Sequence, residues 1–93
     1  MIISFRCRQI EKLFSREAIP AQWREISAVA LRKLTYLHGA KKLEDLRIPP
    51  SNCLEKLKGD RKHQYSIRIN KKWRLCFEFA NGSTSGVEIV DYH

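Results

Sequence analysis

The fold is decided by the stretch Tyr65-Ser66-Ile67-Arg68-Ile69-Asn70-Lys71-Lys72-Trp73-Arg74-Leu75-Cys76-Phe77-Glu78-Phe79. Tyr65, Ile67 and Ile69 alternate with Ser66, Arg68 and Asn70, and Trp73, Leu75, Phe77 and Phe79 alternate with Arg74, Cys76 and Glu78. A period of two marks a strand with one apolar face. Both runs put the odd-numbered residues on that face, so opposed residues must have numbers that sum to an even value. The connection then holds an odd number of residues, most simply Asn70-Lys71-Lys72. This register predicts Ile69 opposite Trp73 toward the core, and Arg68 opposite Arg74 on the other side. Like charges directly across a ladder cost stability, and a face that binds an anion tolerates them better.

Working outward, Asn81-Gly82-Ser83 predicts a turn, and Val87, Ile89 and Val90 predict a third strand. Upstream the period changes. Trp23, Ile26, Ala30, Leu34 and Leu37 recur at three and four residues, with Pro20 at the first turn and Gly39 as a stop. Ile10, Leu13 and Phe14 predict a shorter helix before it. Residues 41–47 predict one more turn with Leu43 and Leu46 inward, and Pro49-Pro50 bars its continuation. Residues 1–5 read as a strand or as a lead-in to a helix. Helices followed by an antiparallel meander predict an α+β fold, with the N-terminal helices packed on the sheet. At 93 residues the chain is one domain, 1–93, too short for two cores.

The formal charge of +8 is unevenly spread. Residues 1–55 carry +4 and residues 75–93 carry −3, with no Lys or Arg in that last segment. Residues 56–74 carry +7: Lys56, Lys58, Arg61, Lys62, Arg68, Lys71, Lys72 and Arg74 against Asp60 alone. Such a concentration predicts contact with a polyanion at one place. We assign RNA contacts to Lys56, Arg61, Lys62, Arg68, Asn70, Lys71 and Lys72. Arg61 and Lys62 also read as solvated loop charges, and Tyr65 and Trp73 as core rather than as base-stacking rings.

Cys7, Cys53 and Cys76 are an odd number at wide spacing, without a CxxC pair, and His38, His63 and His93 are scattered. Neither a disulfide framework nor a metal site is predicted, and no nucleotide-cofactor motif is present. The chain lacks a run of about 18 apolar residues, and its start breaks into charge at Arg6, so a cytoplasmic protein is expected.

A basic sheet face can do chemistry on RNA without a metal. The 2′-OH attacks the adjacent phosphate if a base, cations for the crowded phosphate and an acid for the 5′-oxygen are in place. Lys58, Arg68 and Arg74 suit the cation role. Asp91, Tyr92 and His93 are the one close set of carboxylate, phenol and imidazole, and His93 is the natural acid or base. Read alone, the same three residues are also an ordinary chain end.

Leu57-Lys58-Gly59-Asp60-Arg61, Tyr65-Ser66-Ile67-Arg68-Ile69-Asn70, Trp73-Arg74-Leu75-Cys76-Phe77 and Val87-Glu88-Ile89-Val90-Asp91-Tyr92-His93, in that order, resemble the HigB toxins, of the HigB/GraT type. These are a branch of the RelE superfamily in type II toxin–antitoxin modules. The likeness covers nearly the whole chain, including Leu46-Arg47-Ile48-Pro49-Pro50. It implies a RelE-like fold and a ribosome-dependent mRNA endonuclease that cuts in the A site by 2′-OH attack, leaving a 2′,3′-cyclic phosphate and a 5′-OH. It implies a HigA-type helix-turn-helix antitoxin, whose complex with the toxin binds operator DNA. It also implies that Lys58, Arg74, Asp91, Tyr92 and His93 form the active site. The sequence departs from some relatives at Glu55, where they carry His, and at Asn70, where they carry Arg; Arg68 is a candidate replacement. A non-catalytic basic module that binds RNA or the ribosome is the alternative.

Overall fold

The computed structural model describes residues 1–91. Two helices, α1 (Arg8–Phe14) and α2 (Ser27–Gly39), precede the strands β1 (Glu55–Lys56), β2 (Tyr65–Arg68), β3 (Trp73–Ala80) and β4 (Ser83–Asp91). The strands form one antiparallel sheet in the order β1-β2-β3-β4. Ile10 and Leu13 of α1 and Ala30, Leu34 and Leu37 of α2 are buried against Ile67, Leu75, Phe77, Val87 and Ile89 of the sheet. No described helix is long and apolar enough to cross a membrane.

The register is the one that parity requires. Arg68 lies opposite Arg74 and Ile67 opposite Leu75, and the Ile69 N–H donates to the Trp73 carbonyl at 2.9 Å. The Asn70 side-chain oxygen closes the connection by accepting the N–H groups of Lys72 and Trp73, both at 2.8 Å. An Asn side chain commonly satisfies backbone donors two or three residues on in this way.

The long helical stripe is not α-helical throughout. Ala21–Ile26 is a 3-10 segment capped by Pro20, and the α-helix begins at Ser27. Trp23 and Ile26 are three apart, a spacing that serves a helix of three residues per turn as well as one of 3.6, so sequence period alone did not separate them. The turn expected within residues 41–47 is a 3-10 segment, Leu43–Arg47, with Leu46 buried. Pro50 begins a further 3-10 turn, Pro50–Asn52, rather than only ending the previous one, because proline fits a first-turn position. The N-terminal residues bridge β4 in parallel, at Ile2 with Thr84 and at Phe5 with Val87. They cover an edge that would otherwise present unpaired backbone groups.

A bulge resets β4. Cys76 pairs with Glu88 but Glu78 pairs with Ser85, so Gly86 and Val87 together oppose Phe77. The shift lets even-numbered Thr84 and odd-numbered Val87 and Ile89 all face the helices. Gly86 makes this possible with φ +60. A Cβ there would meet only the Glu78 carboxylate, at an ordinary 3.5 Å, so the cost of Gly86→Ala is conformational. We expect a loss of about 1–2 kcal/mol in urea unfolding. An unchanged midpoint would contradict the bulge.

Asp45 caps the 3-10 segment that follows α2. Its carboxylate accepts the N–H groups of Lys41 (3.0 Å) and Lys42 (3.2 Å), which hold it below the ordinary carboxylate range. Because the folded value is the lower one, this stabilisation is present above pH about 4 and fades as pH falls through the folded value. Asp45→Asn should therefore shrink the difference in melting temperature between pH 6 and pH 3. An identical acid limb in the variant would refute the capping role.

Candidate active site

The even-numbered face of the sheet, away from the helices, carries the charge. Arg74 sits there with 9% of its surface exposed, beside fully buried Ser66. Its Nε donates to Ser66 Oγ at 2.9 Å and an Nη donates to the Cys53 carbonyl at 2.7 Å. Glu55, directly opposite Ser66 in the ladder, brings a carboxylate oxygen to 4.0 Å from the same guanidinium. The sequence predicted half-buried strands with a charged second face; the structure buries Ser66, Arg74 and Cys76 on that face. Burial pushes the Cys76 thiol up, so it is a packing residue.

Beside Arg74 is a cleft of about 420 Å³ lined by Glu55, Lys56, Leu57, Lys58 and Arg61. Lys58 leads into the short turn Gly59–Arg61, where Gly59 takes φ +68. Buried Leu57 anchors one end of this loop, with its N–H on the Gln64 carbonyl at 2.9 Å. Arg61 anchors the other: one Nη donates to Gln64 Oε1 and to Glu88 Oε2, each at 3.0 Å. Arg6 also approaches Glu88 Oε2, at 3.6 Å. The loop thus places exposed Lys58 and anchored Arg61 on one cleft, whose Glu55 wall reaches Arg74.

The HigB-like toxin model, described as the RelE-like toxin of the type II toxin–antitoxin system HigB, matches residues 4–93. The chain belongs to this family. Toxin HigB-1 of Vibrio cholerae serotype O1 is 36% identical over 86 residues, covering 88% of this chain and 87% of that protein. Endoribonuclease HigB of Proteus vulgaris is 31% identical over 96 residues, across the whole of both chains. The fold is similar to that of the toxin–antitoxin complex YoeB-YefM from Staphylococcus aureus, with a TM-score of 0.58 at 20% identity, covering 100% of this chain and 95% of that one. It is likewise similar to an Escherichia coli YafQ variant, with a TM-score of 0.57 at 16% identity, over 98% and 91% of the two chains.

In this HigB-like toxin, Lys58 lines the cleft together with Glu55, whose carboxylate lies 4.0 Å from the Arg74 guanidinium. Asp91 does not join them there. It pairs with Trp73, so strand alternation puts it on the helix side at the sheet's end, where it approaches Lys72 Nζ at 3.7 Å. Tyr92 and His93 lie outside the described residues. Lys56 and Arg61 line the cleft, and Lys62 is exposed beyond its turn. Arg68 is half-buried, with Nε on the Asn70 carbonyl at 3.1 Å, and Lys71 and Lys72 are exposed in the hairpin loop. Lys72 also lies over the Trp73 ring, 5.2 Å from its centroid. The Asn70 side-chain oxygen is engaged by its own turn.

Sequence reasoning missed Ser66, the Cys53 carbonyl and Glu88 as the groups that fix the two arginines. Ser66 was legible as a polar residue of the right parity. A carbonyl in a loop, by contrast, has no sequence signature.

Proposed function

We propose that this HigB-like toxin is an endoribonuclease that cuts mRNA in the ribosomal A site by 2′-OH attack. The observation that carries the reading is the guanidinium of Arg74, fixed by Ser66 and Cys53 beside the Lys58 cleft. A planar fork held in place suits a phosphate whose charge grows in the transition state, and the exposed ammonium of Lys58 adds a second cation. The O2′–P bond forms as the P–O5′ bond breaks. A base takes the 2′ proton and an acid supplies one to the leaving 5′-oxygen, giving a 2′,3′-cyclic phosphate and a 5′-OH. Asp91, Tyr92 and His93 supply those proton-transfer groups in this reading, with His93 as acid or base. The nucleophile is part of the substrate, so the scheme needs no metal. Lys56, Arg61, Lys62, Arg68, Asn70, Lys71 and Lys72 hold rRNA and mRNA backbone around the cut.

The partner is a HigA-type helix-turn-helix antitoxin, the toxin reaches operator DNA only within that complex, and the protein works in the cytoplasm. The family match and the toxin–antitoxin complexes with this fold support that reading. One observation favours a non-catalytic ribosome-binding module: Asp91 lies on the opposite side of the sheet from Arg74. The two readings separate on His93→Ala. Under the nuclease reading, induced expression of the wild type stops growth and fragments mRNA within minutes, and His93→Ala lowers cleavage at least about a hundredfold. Growth arrest with intact mRNA, or an equally active His93→Ala, would overturn it.

A further inference from the structure

A second basic cleft lies between α2 and the β2–β3 hairpin. It measures about 310 Å³ and is lined by Arg32, Lys33, Ser51, Arg68 and Asn70, with Val29 and Ile69 on its apolar wall. Three of these residues are cations, none is acidic, and none of the three cations forms an ion pair among the described residues.

Lys33 is the informative member. Its side chain is only 4% exposed, yet its ammonium has a built-in support. Nζ donates to Asn52 Oδ1 at 2.6 Å, and the buried Asn52 amide is itself oriented by the carbonyls of Leu46 (3.0 Å) and Ile48 (3.3 Å). Desolvation, and then the neighbouring Arg32, hold the Lys33 ammonium below the usual lysine range. The Tyr36 ring also faces Lys33 Nζ, 5.7 Å from its centroid, but neither the ring nor the Asn52 amide carries a formal negative charge. A buried cation beside two more, without a carboxylate in the cleft lining, is an arrangement that an anion would balance.

Position selects the anion. Arg68, which lines the cleft, is the ladder partner of Arg74, so one wall of the cleft is built on the residue next to the proposed cleavage centre. Resting on the proposed nuclease function, we propose that this cleft is a phosphate subsite for the RNA strand running on from the scissile phosphate, formed by Arg32, Lys33 and Arg68. The guanidinium groups grip the phosphate oxygens, and Ser51 and Asn70 offer uncharged hydrogen bonds at the rim.

The test compares Arg32→Ala and Lys33→Met with Lys12→Ala, which removes the same charge from an exposed position on α1. Two readouts are taken: kcat and KM on programmed ribosomes, and affinity for a short RNA with methylated 2′-OH groups, by fluorescence anisotropy over a salt series. Arg32→Ala and Lys33→Met should each weaken RNA binding about tenfold, with the loss of kcat/KM falling on KM. Each should also flatten the salt slope by about 0.7, one single-strand phosphate contact. Lys12→Ala should stay within about twofold of wild type in both readouts. Melting temperature tracks folding, and Arg32→Ala keeps the test open if Lys33→Met unfolds. Cleft variants that match Lys12→Ala overturn the subsite, as does a wild-type cleft that binds a poly-glutamate peptide more tightly than RNA at equal ionic strength. A wild type that binds the RNA through Arg32 but never cuts would instead overturn the nuclease reading and leave the cleft assignment standing.

Discussion

Arg74→Lys is expected to lower mRNA cleavage by about two to three orders of magnitude while leaving the protein folded. Lysine keeps the charge but not the fork. The guanidinium reaches Ser66 Oγ and the Cys53 carbonyl from two different nitrogens, at 2.9 and 2.7 Å, and these contacts set its plane. A single ammonium cannot make both and still face a phosphate in a bidentate way. Arg74→Ala would be harder to interpret, because it also leaves the buried Ser66 hydroxyl and the Cys53 carbonyl without this donor, at about 1–3 kcal/mol. The informative pair of measurements is single-turnover cleavage on programmed ribosomes and the melting temperature of the same preparation. Near-wild-type cleavage by Arg74→Lys would make Arg74 a structural residue that merely ties β3 to the loop at Cys53.

Phe77→Ala is expected to have the largest effect on stability, about 3–5 kcal/mol. Phe77 is fully buried at the middle of β3, in the core where both helices meet the sheet. Its ring stacks on Tyr65 of β2 with centroids 6.3 Å apart, and its backbone stands opposite the Gly86 bulge. Few rearrangements can fill the hole that alanine leaves, because neighbouring positions on that face are fixed by the ladder. Domains of this size have about 5–15 kcal/mol in total, so the variant should melt roughly 15–30 °C lower. A drop below about 5 °C would mean that the centre of the core lies elsewhere.

The hairpin was legible because parity is a strict constraint: two odd-faced strands admit only an odd connection, and Asn70-Lys71-Lys72 is what the structure shows. The core stripe of α2 was legible for a similar reason, since Ala30, Leu34 and Leu37 keep one face inward. β1 was not legible. Two residues carry no period, and only pairing with Tyr65 and Ser66 makes them a strand. The burial of Arg74 was hidden as well, since its partners are a hydroxyl and a carbonyl, eight and 21 residues away in sequence. In the sequence Arg68 and Arg74 read as an opposed pair on an anion-tolerant face, and the structure adds that Arg74 is buried and Arg68 half-buried. Sequence resemblance grouped Asp91 with Arg74, whereas register pairs Asp91 with Trp73 and Arg74 with Val90, on alternate sides of β3–β4.

The central claim is chemical, and the chemistry leaves a signature on the cut ends. The decisive measurement is end-group analysis of an mRNA on 70S ribosomes with a defined A-site codon, after incubation with the wild-type protein. The nuclease account predicts one cut within that codon, with a 2′,3′-cyclic phosphate upstream and a 5′-OH downstream, and no cut when the attacking ribose carries a 2′-O-methyl group. Intact mRNA, or cleavage that leaves a 5′-phosphate and ignores the 2′-O-methyl group, would contradict it.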